Sequence, residues 1–187
     1  MKSISLFFKC IFYWWNPRGQ KNLKDAQIIL TQAQTDMADG SSSRGNKLMA
    51  EVTAKYSKEL SIPIFAQGEV ARVLDTMYVS VVGRTPCEAI PDNFGLKEYH
   101  GTSGVATVQK KYCDEKGFTR VLVIAGSPHT WRAKWTYEKM GFIVMLPRKS
   151  PPMIFEKGAN QKRWSRAVTA YPYELSARLK YLFHGVI

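Results

Sequence analysis

This 187-residue chain predicts a three-layer α/β/α domain built on a mainly parallel sheet of about five strands. Three observations predict it. Val121 to Pro147 reads without interruption as strand, tight loop, helix and strand, which is half of a doubly wound unit. Two further apolar runs, Asp25 to Thr31 and Ile62 to Ala66, are each followed by apolar residues at helical spacing. A hydrophobic share of 45% supplies one good core but not two ordinary domains, and no internal repeat or low-complexity tract appears. Sheets of this Rossmann-like kind take ligands beyond the carboxyl ends of their strands, where helix N-termini present free amides.

Ile4 to Trp15 is intensely aromatic but only twelve residues long and interrupted by Lys9, well short of the roughly twenty apolar residues a spanning helix needs. Trp14-Trp15-Asn16-Pro17 does not resemble a small-residue cleavage site, so a secretory signal is not expected. Residues 1–24 are therefore expected either to pack on the domain or to lie in a membrane interface, and residues 25–187 to form the domain itself.

Asp25 to Thr31 is the first strand, and the long polar stretch Gln32 to Ser43 after it is a candidate ligand loop. The next helix begins near Ser43, with Leu48, Val52, Tyr56 and Leu60 at successive fourth positions. After the strand Ile62 to Ala66, the spacing of Val70, Val73, Leu74, Met77 and Val81 predicts a helix fraying near Val81. The β-branched density of Tyr78 to Val82 leaves 76–95 ambiguous, with Ala89-Ile90 as a minimal third strand. Thr102 or Ser103 is expected to cap a helix whose Val105, Val108 and Tyr112 face inward. Val121 to Ala125 is a buried strand, Ser127-Pro128 a helix start, Trp131 and Trp135 a one-turn pair, Gly141 a C′ residue and Phe142 to Leu146 the last strand. Pro147 to Lys162 reads as an irregular excursion. A final helix near Tyr173 to His184 is expected to dock on the sheet with Leu175, Leu179 and Leu182 inward and Arg178 and Tyr181 away.

Chemistry concentrates in the loop after Val121 to Ala125. Ser127, His129 and Arg132 cluster there, the histidine in the first helical turn and the arginine one turn later. Each also has a plain structural reading, as a cap, a surface histidine and a solvated charge. Glu98, His100 and Thr102 stand at the start of the preceding helix, which a doubly wound sheet brings to the same edge. No P-loop and no metal-ligand spacing is present, and Cys10, Cys87 and Cys113 form neither a C-x-x-C pair nor a zinc set. We read them as reduced thiols of a protein on the cytoplasmic side.

Ala125-Gly126-Ser127-Pro128-His129-Thr130-Trp131-Arg132-Ala133 resembles the T-S-x-x-H-x-x-R-A segment of the YdcF-like family, which includes SanA and ElyC. Glu98 and Thr102 match its acidic residue and threonine, and ELSARLKYLFHGVI its closing helix. The resemblance runs from Asp25 to the C-terminus. It implies a bacterial cell-envelope protein with a polar cleft, Glu98 and His129 as catalytic candidates, and Ser127, Arg132, Thr102 and Arg44 as ligand contacts. Members carry a glycine-rich turn after the first strand, whereas Leu30-Thr31-Gln32-Ala33-Gln34 has no glycine.

The net charge of +12 is unevenly placed. Met1 to Lys24 holds five basic residues and no acids, Asp25 to Trp131 eleven basic and twelve acidic, and Arg132 to Ile187 eleven basic and three acidic. Three functions follow in order: binding, or conversion, of a small anionic, phosphate-bearing or nucleotide-like ligand with His129 as acid or base; a membrane-surface module contacting anionic lipid through the aromatic N-terminus and basic ends; and, last, nucleic-acid binding, for which no reading motif exists.

Overall fold

A computed structural model describes residues 22–85, 101–127 and 129–185. The strands are β1 (Ile28–Thr31), β2 (Ile64–Ala66), β3 (Gly83–Arg84), β4 (Arg120–Ile124) and β5 (Ile143–Met145). The helices are α1 (Arg44–Leu60), α2 (Gly68–Thr76), α3 (Thr102–Lys116), α4 (His129–Lys139) and α5 (Ala167–Phe183), with a 3₁₀ turn at Lys162–Trp164. The sheet order is β3-β2-β1-β4-β5 and every pairing is parallel, with Ile29 beside Ile64 and Leu122 in β1's two ladders. The architecture is the three-layer Rossmann-like α/β/α fold.

Strand periodicity explains the layers. Ile29, Ile64, Leu122, Ile124 and Met145 point to one face and pack with Met49, Ala50, Val70 and Leu74 of α1 and α2. Ile28, Leu30, Phe65, Val121, Val123 and Val144 point to the other and pack with Ala106, Cys113, Ala133 and Tyr137 of α3 and α4. Both faces are covered, so strands such as Arg120–Ile124 read as continuous apolar runs rather than alternating ones. Burying each such Leu or Ile side chain is worth about 1.5–3 kcal/mol.

Where helices stop is decided locally. Ser43 caps α1 by accepting from the Asn46 amide, as its position predicts, and Gly141 ends the turn after α4 with a φ of +91°. α2 ends at Thr76, before the predicted fraying point, because Tyr78 takes a left-handed φ of +56° and the Val79 amide closes back on the Leu74 carbonyl. The β-branched stretch after Tyr78 then leads into β3. Gly83 is required there, since a Cβ on it would lie 2.5 Å from the Phe65 ring. The third strand is thus Gly83–Arg84, and Ala89-Ile90 falls outside the described residues.

α5 departs most from the sequence-based expectation. It begins at Ala167 and runs through Pro172, whose missing N–H and the Val168 carbonyl it would have met both lie on the exposed side, where water can serve that carbonyl. Its inward face is not the leucine face: Glu174, Arg178 and Tyr181 are buried, while Leu175, Leu179 and Leu182 are only partly covered. It docks on α4 through Tyr181 and Trp135 rather than on the sheet, both faces of which the other four helices already occupy. The Trp131 and Trp135 rings stack at 5.7 Å on that side. Among the described residues no helix is long and apolar enough to cross a membrane.

Candidate functional site

The order β3-β2-β1-β4-β5 puts the reversal of winding between β1 and β4, so the crevice at their carboxyl ends is the expected ligand position. A buried amide network fixes the elements around it. The Gln109 side chain of α3 donates to the Thr31 and Phe65 carbonyls at 3.1 and 3.3 Å, and Tyr137 of α4 donates its hydroxyl to Gln109. Gln32, just past β1, donates to that hydroxyl at 2.7 Å and to the Thr102 carbonyl at 3.4 Å. The ends of β1, α3 and α4 are thereby tied together, and burial pushes the Tyr137 phenol above its ordinary range.

At the top of this network three predicted residues meet. Thr102 Oγ1 lies 3.4 Å from His129 Nε2 and accepts from Arg132 NH1 at 2.6 Å, and Arg132 NH2 lies 2.8 Å from His129 Nδ1. Neither Thr102 nor Ser103 caps α3; Gly101 holds the cap position without a side-chain bond. The Thr102 hydroxyl is committed to Arg132, and that of Ser103 lies 3.4 Å from the Tyr181 hydroxyl.

Glu174 of α5, which sequence reasoning missed, completes the group. It accepts from Arg132 Nε at 3.1 Å and NH2 at 2.9 Å, and from Arg178 Nε at 3.3 Å. The Tyr181 ring lies 5.2 Å from the Arg132 guanidinium carbon. Burial alone would raise the Glu174 carboxyl, but the charge of Arg132 outweighs it and holds the group well below the usual carboxylate range. Burial first, and then the charge of Arg132, push the His129 imidazole below its ordinary 6.5, so the ring is neutral near pH 7. A signal for Glu174 was available: Glu174 and Arg178 stand four apart in the closing helix, the spacing of a helical ion pair.

The other candidates are placed differently. Arg132 is buried and spent on Glu174, so it is not a free charge waiting for an anion. Ser127 is partly exposed, and its amide donates to the Pro151 carbonyl at 2.9 Å. Arg44 is exposed at the start of α1, its amide donating to Glu156 Oε2 at 2.9 Å; no described contact joins it to the Thr102–His129–Arg132 group. Glu98 and His100 lie outside the described residues. Around the described site no group of three or more His, Cys, Asp or Glu residues stands together as metal ligands would.

The glycine-free turn after β1 also has a structural consequence. Its amides are occupied from within: Gln32 donates to the Ile124 carbonyl, Ala33 to Gln67 Oε1 at 2.7 Å and Gln34 to Asn46 Oδ1 at 2.9 Å. The excursion after β5 folds over this turn, with Gln34 Nε2 donating to the Ile154 carbonyl at 2.7 Å and Met37 bridging Ala159. A pyrophosphate held on that turn, as in a dinucleotide site, would have to displace these bonds. No family model, curated protein or solved structure matches the chain. Its chemistry is therefore read from this geometry.

Proposed function

We propose that the chain is a YdcF-like domain that binds a phosphate-bearing or nucleotide-like ligand at the carboxyl edge between β1 and β4, in the service of bacterial cell-envelope biogenesis. One observation carries the reading: the first turns of α3 and α4 meet at the reversal of the sheet, with Thr102, His129 and Arg132 in mutual contact there. Because the β1 turn is internally bonded, the anion is assigned to the α3 and α4 side of the crevice. Of His129 and Arg132, the histidine is the more exposed, 11% against 6% at the side chain, which supports it as the group that meets the ligand. Inorganic phosphate and a nucleoside monophosphate should each raise the melting temperature. A ligand at a hundred times its Kd stabilises by about 2.7 kcal/mol. His129→Asn should remove the rise while the protein stays folded. No rise with either compound in the unaltered protein rejects the reading.

A second reading, a membrane-surface module, is favoured by the outer face of α5, where Val168 and Phe183 are 74% and 77% exposed beside Arg166 and Lys180. Vesicles rich in anionic lipid should then bind the protein at low salt and release it as salt rises. A Val168→Ser, Phe183→Ser variant should bind several-fold more weakly. Equal binding to neutral vesicles removes this alternative.

A further inference from the structure

His129 and Glu174 face each other without touching. Nδ1 and Oε2 are 3.7 Å apart, and between them sits Arg132 NH2, 2.8 Å from the nitrogen and 2.9 Å from the oxygen. A guanidinium nitrogen can only donate. His129 Nδ1 must therefore accept, and a neutral ring then carries its proton on Nε2. The closer neighbour decides this, since 3.7 Å is too long for a hydrogen bond to the carboxylate. Side-chain exposure falls from 11% at His129 through 6% at Arg132 to none at Glu174, so the imidazole is the outermost of the three.

Its Nε2 is 3.4 Å from Thr102 Oγ1, which already accepts from Arg132 NH1 and so has its own hydrogen left to give. Among the described residues, the charged groups acting on the ring are Arg132 from α4 and Glu174 and Arg178 from α5, while α3 contributes the Thr102 hydroxyl; Tyr181 lies against Arg132. On this tautomer Nε2–H donates to Thr102 Oγ1 over the long 3.4 Å contact. The pair therefore offers a ligand the threonine O–H and, where a ligand oxygen replaces that contact, the ring N–H, both uncharged.

We infer that Arg132 and Glu174 are positioning residues that hold His129 as its neutral Nε2–H tautomer, making the site a receptor for a phosphoryl oxygen through uncharged donors. The ligand class rests on the function proposed above; the tautomer does not depend on it. An outer carboxylate can set the orientation and proton of an inner group through the residue between them. Here Glu174 orients Arg132, and Arg132 selects the nitrogen that bears the proton.

Two-bond ¹H–¹⁵N spectra of the labelled full-length protein read the tautomer directly. His129 should show a protonated Nε2 and a bare Nδ1 at about pH 8, and should take up its second proton at lower pH than an ordinary histidine does. Arg132→Met removes the intervening donor and leaves Nδ1 facing Glu174. The proton should then move to Nδ1, and the ring should titrate higher than in the unaltered protein, because the lowering charge of Arg132 is gone. Glu174→Gln leaves Arg132 in place as donor and should keep the Nε2–H form. An Nδ1–H ring in the unaltered protein overturns the inference, as does an unchanged tautomer in folded Arg132→Met. If that variant does not fold, the unaltered protein and Glu174→Gln decide, since an Nδ1–H ring in either overturns it. Inorganic phosphate added to the same sample should shift the Nε2–H resonance. The correct tautomer with no phosphate response would reject the ligand class and leave the positioning roles standing.

Discussion

Arg132 grips both carboxylate oxygens of Glu174, Nε to Oε1 at 3.1 Å and NH2 to Oε2 at 2.9 Å, with the carboxylate wholly buried. This bidentate pair spans forty-two positions of sequence and joins α4 to α5. Buried ion pairs add little over a well-packed apolar substitute, but removing one partner strands the other in a low-dielectric interior.

Glu174→Ala should accordingly cost about 3–5 kcal/mol, because it leaves two buried guanidinium groups without their shared carboxylate. Replacing both members, as Arg132→Met with Glu174→Leu, should cost clearly less than the sum of the two single changes. Urea unfolding of the four proteins measures the coupling. Additive losses below about 1 kcal/mol each would mean that the pair does not anchor α5.

Acid should destabilise the protein in two steps. The His129 pKa is lowered in the folded state, so the unfolded chain takes up that proton first, and stability falls as pH drops below the ordinary 6.5. The Glu174 pKa is lowered too, and its contribution, complete above the ordinary 4.5, is lost as pH falls below that value. His129→Asn should flatten the upper part of the profile and Glu174→Gln the lower part. Stability that rises on acidification from about pH 7 to about pH 5 would contradict the His129 assignment, and stability that rises from about pH 4 downward the Glu174 one.

Tyr78 holds a left-handed φ of +56° while 98% exposed, so its side chain contributes almost no packing in exchange for the strain. Tyr78→Gly should stabilise the protein by about 0.5–1 kcal/mol, the relief of roughly 1–2 kcal/mol exceeding the added chain entropy of glycine. A raised melting temperature checks this. A fall would show that the turn into β3 depends on the tyrosine itself.

Much of this molecule is determined by short-range patterns. The strand from Val121, the cap at Ser43, the left-handed Gly141 and the apolar runs of β1 and β2 follow from periodicity and backbone chemistry, which act over a few residues and are written in order along the chain. So too does the meeting of Thr102, His129 and Arg132, because a parallel sheet delivers each helix start to one edge. Tertiary structure decided the rest. Periodicity on α5 favours the leucines as its buried face, and Glu174, Arg178 and Tyr181 turn inward only because Arg132 of α4 and the Trp135–Tyr181 contact offer those polar groups partners that water would otherwise supply. The same dependence turned Arg132 from a candidate anion ligand into one half of a buried pair, and it set the proton on His129 Nε2. A side chain's charge is legible in sequence, but the group that neutralises it lies across the fold, and desolvation makes that distant partner decisive.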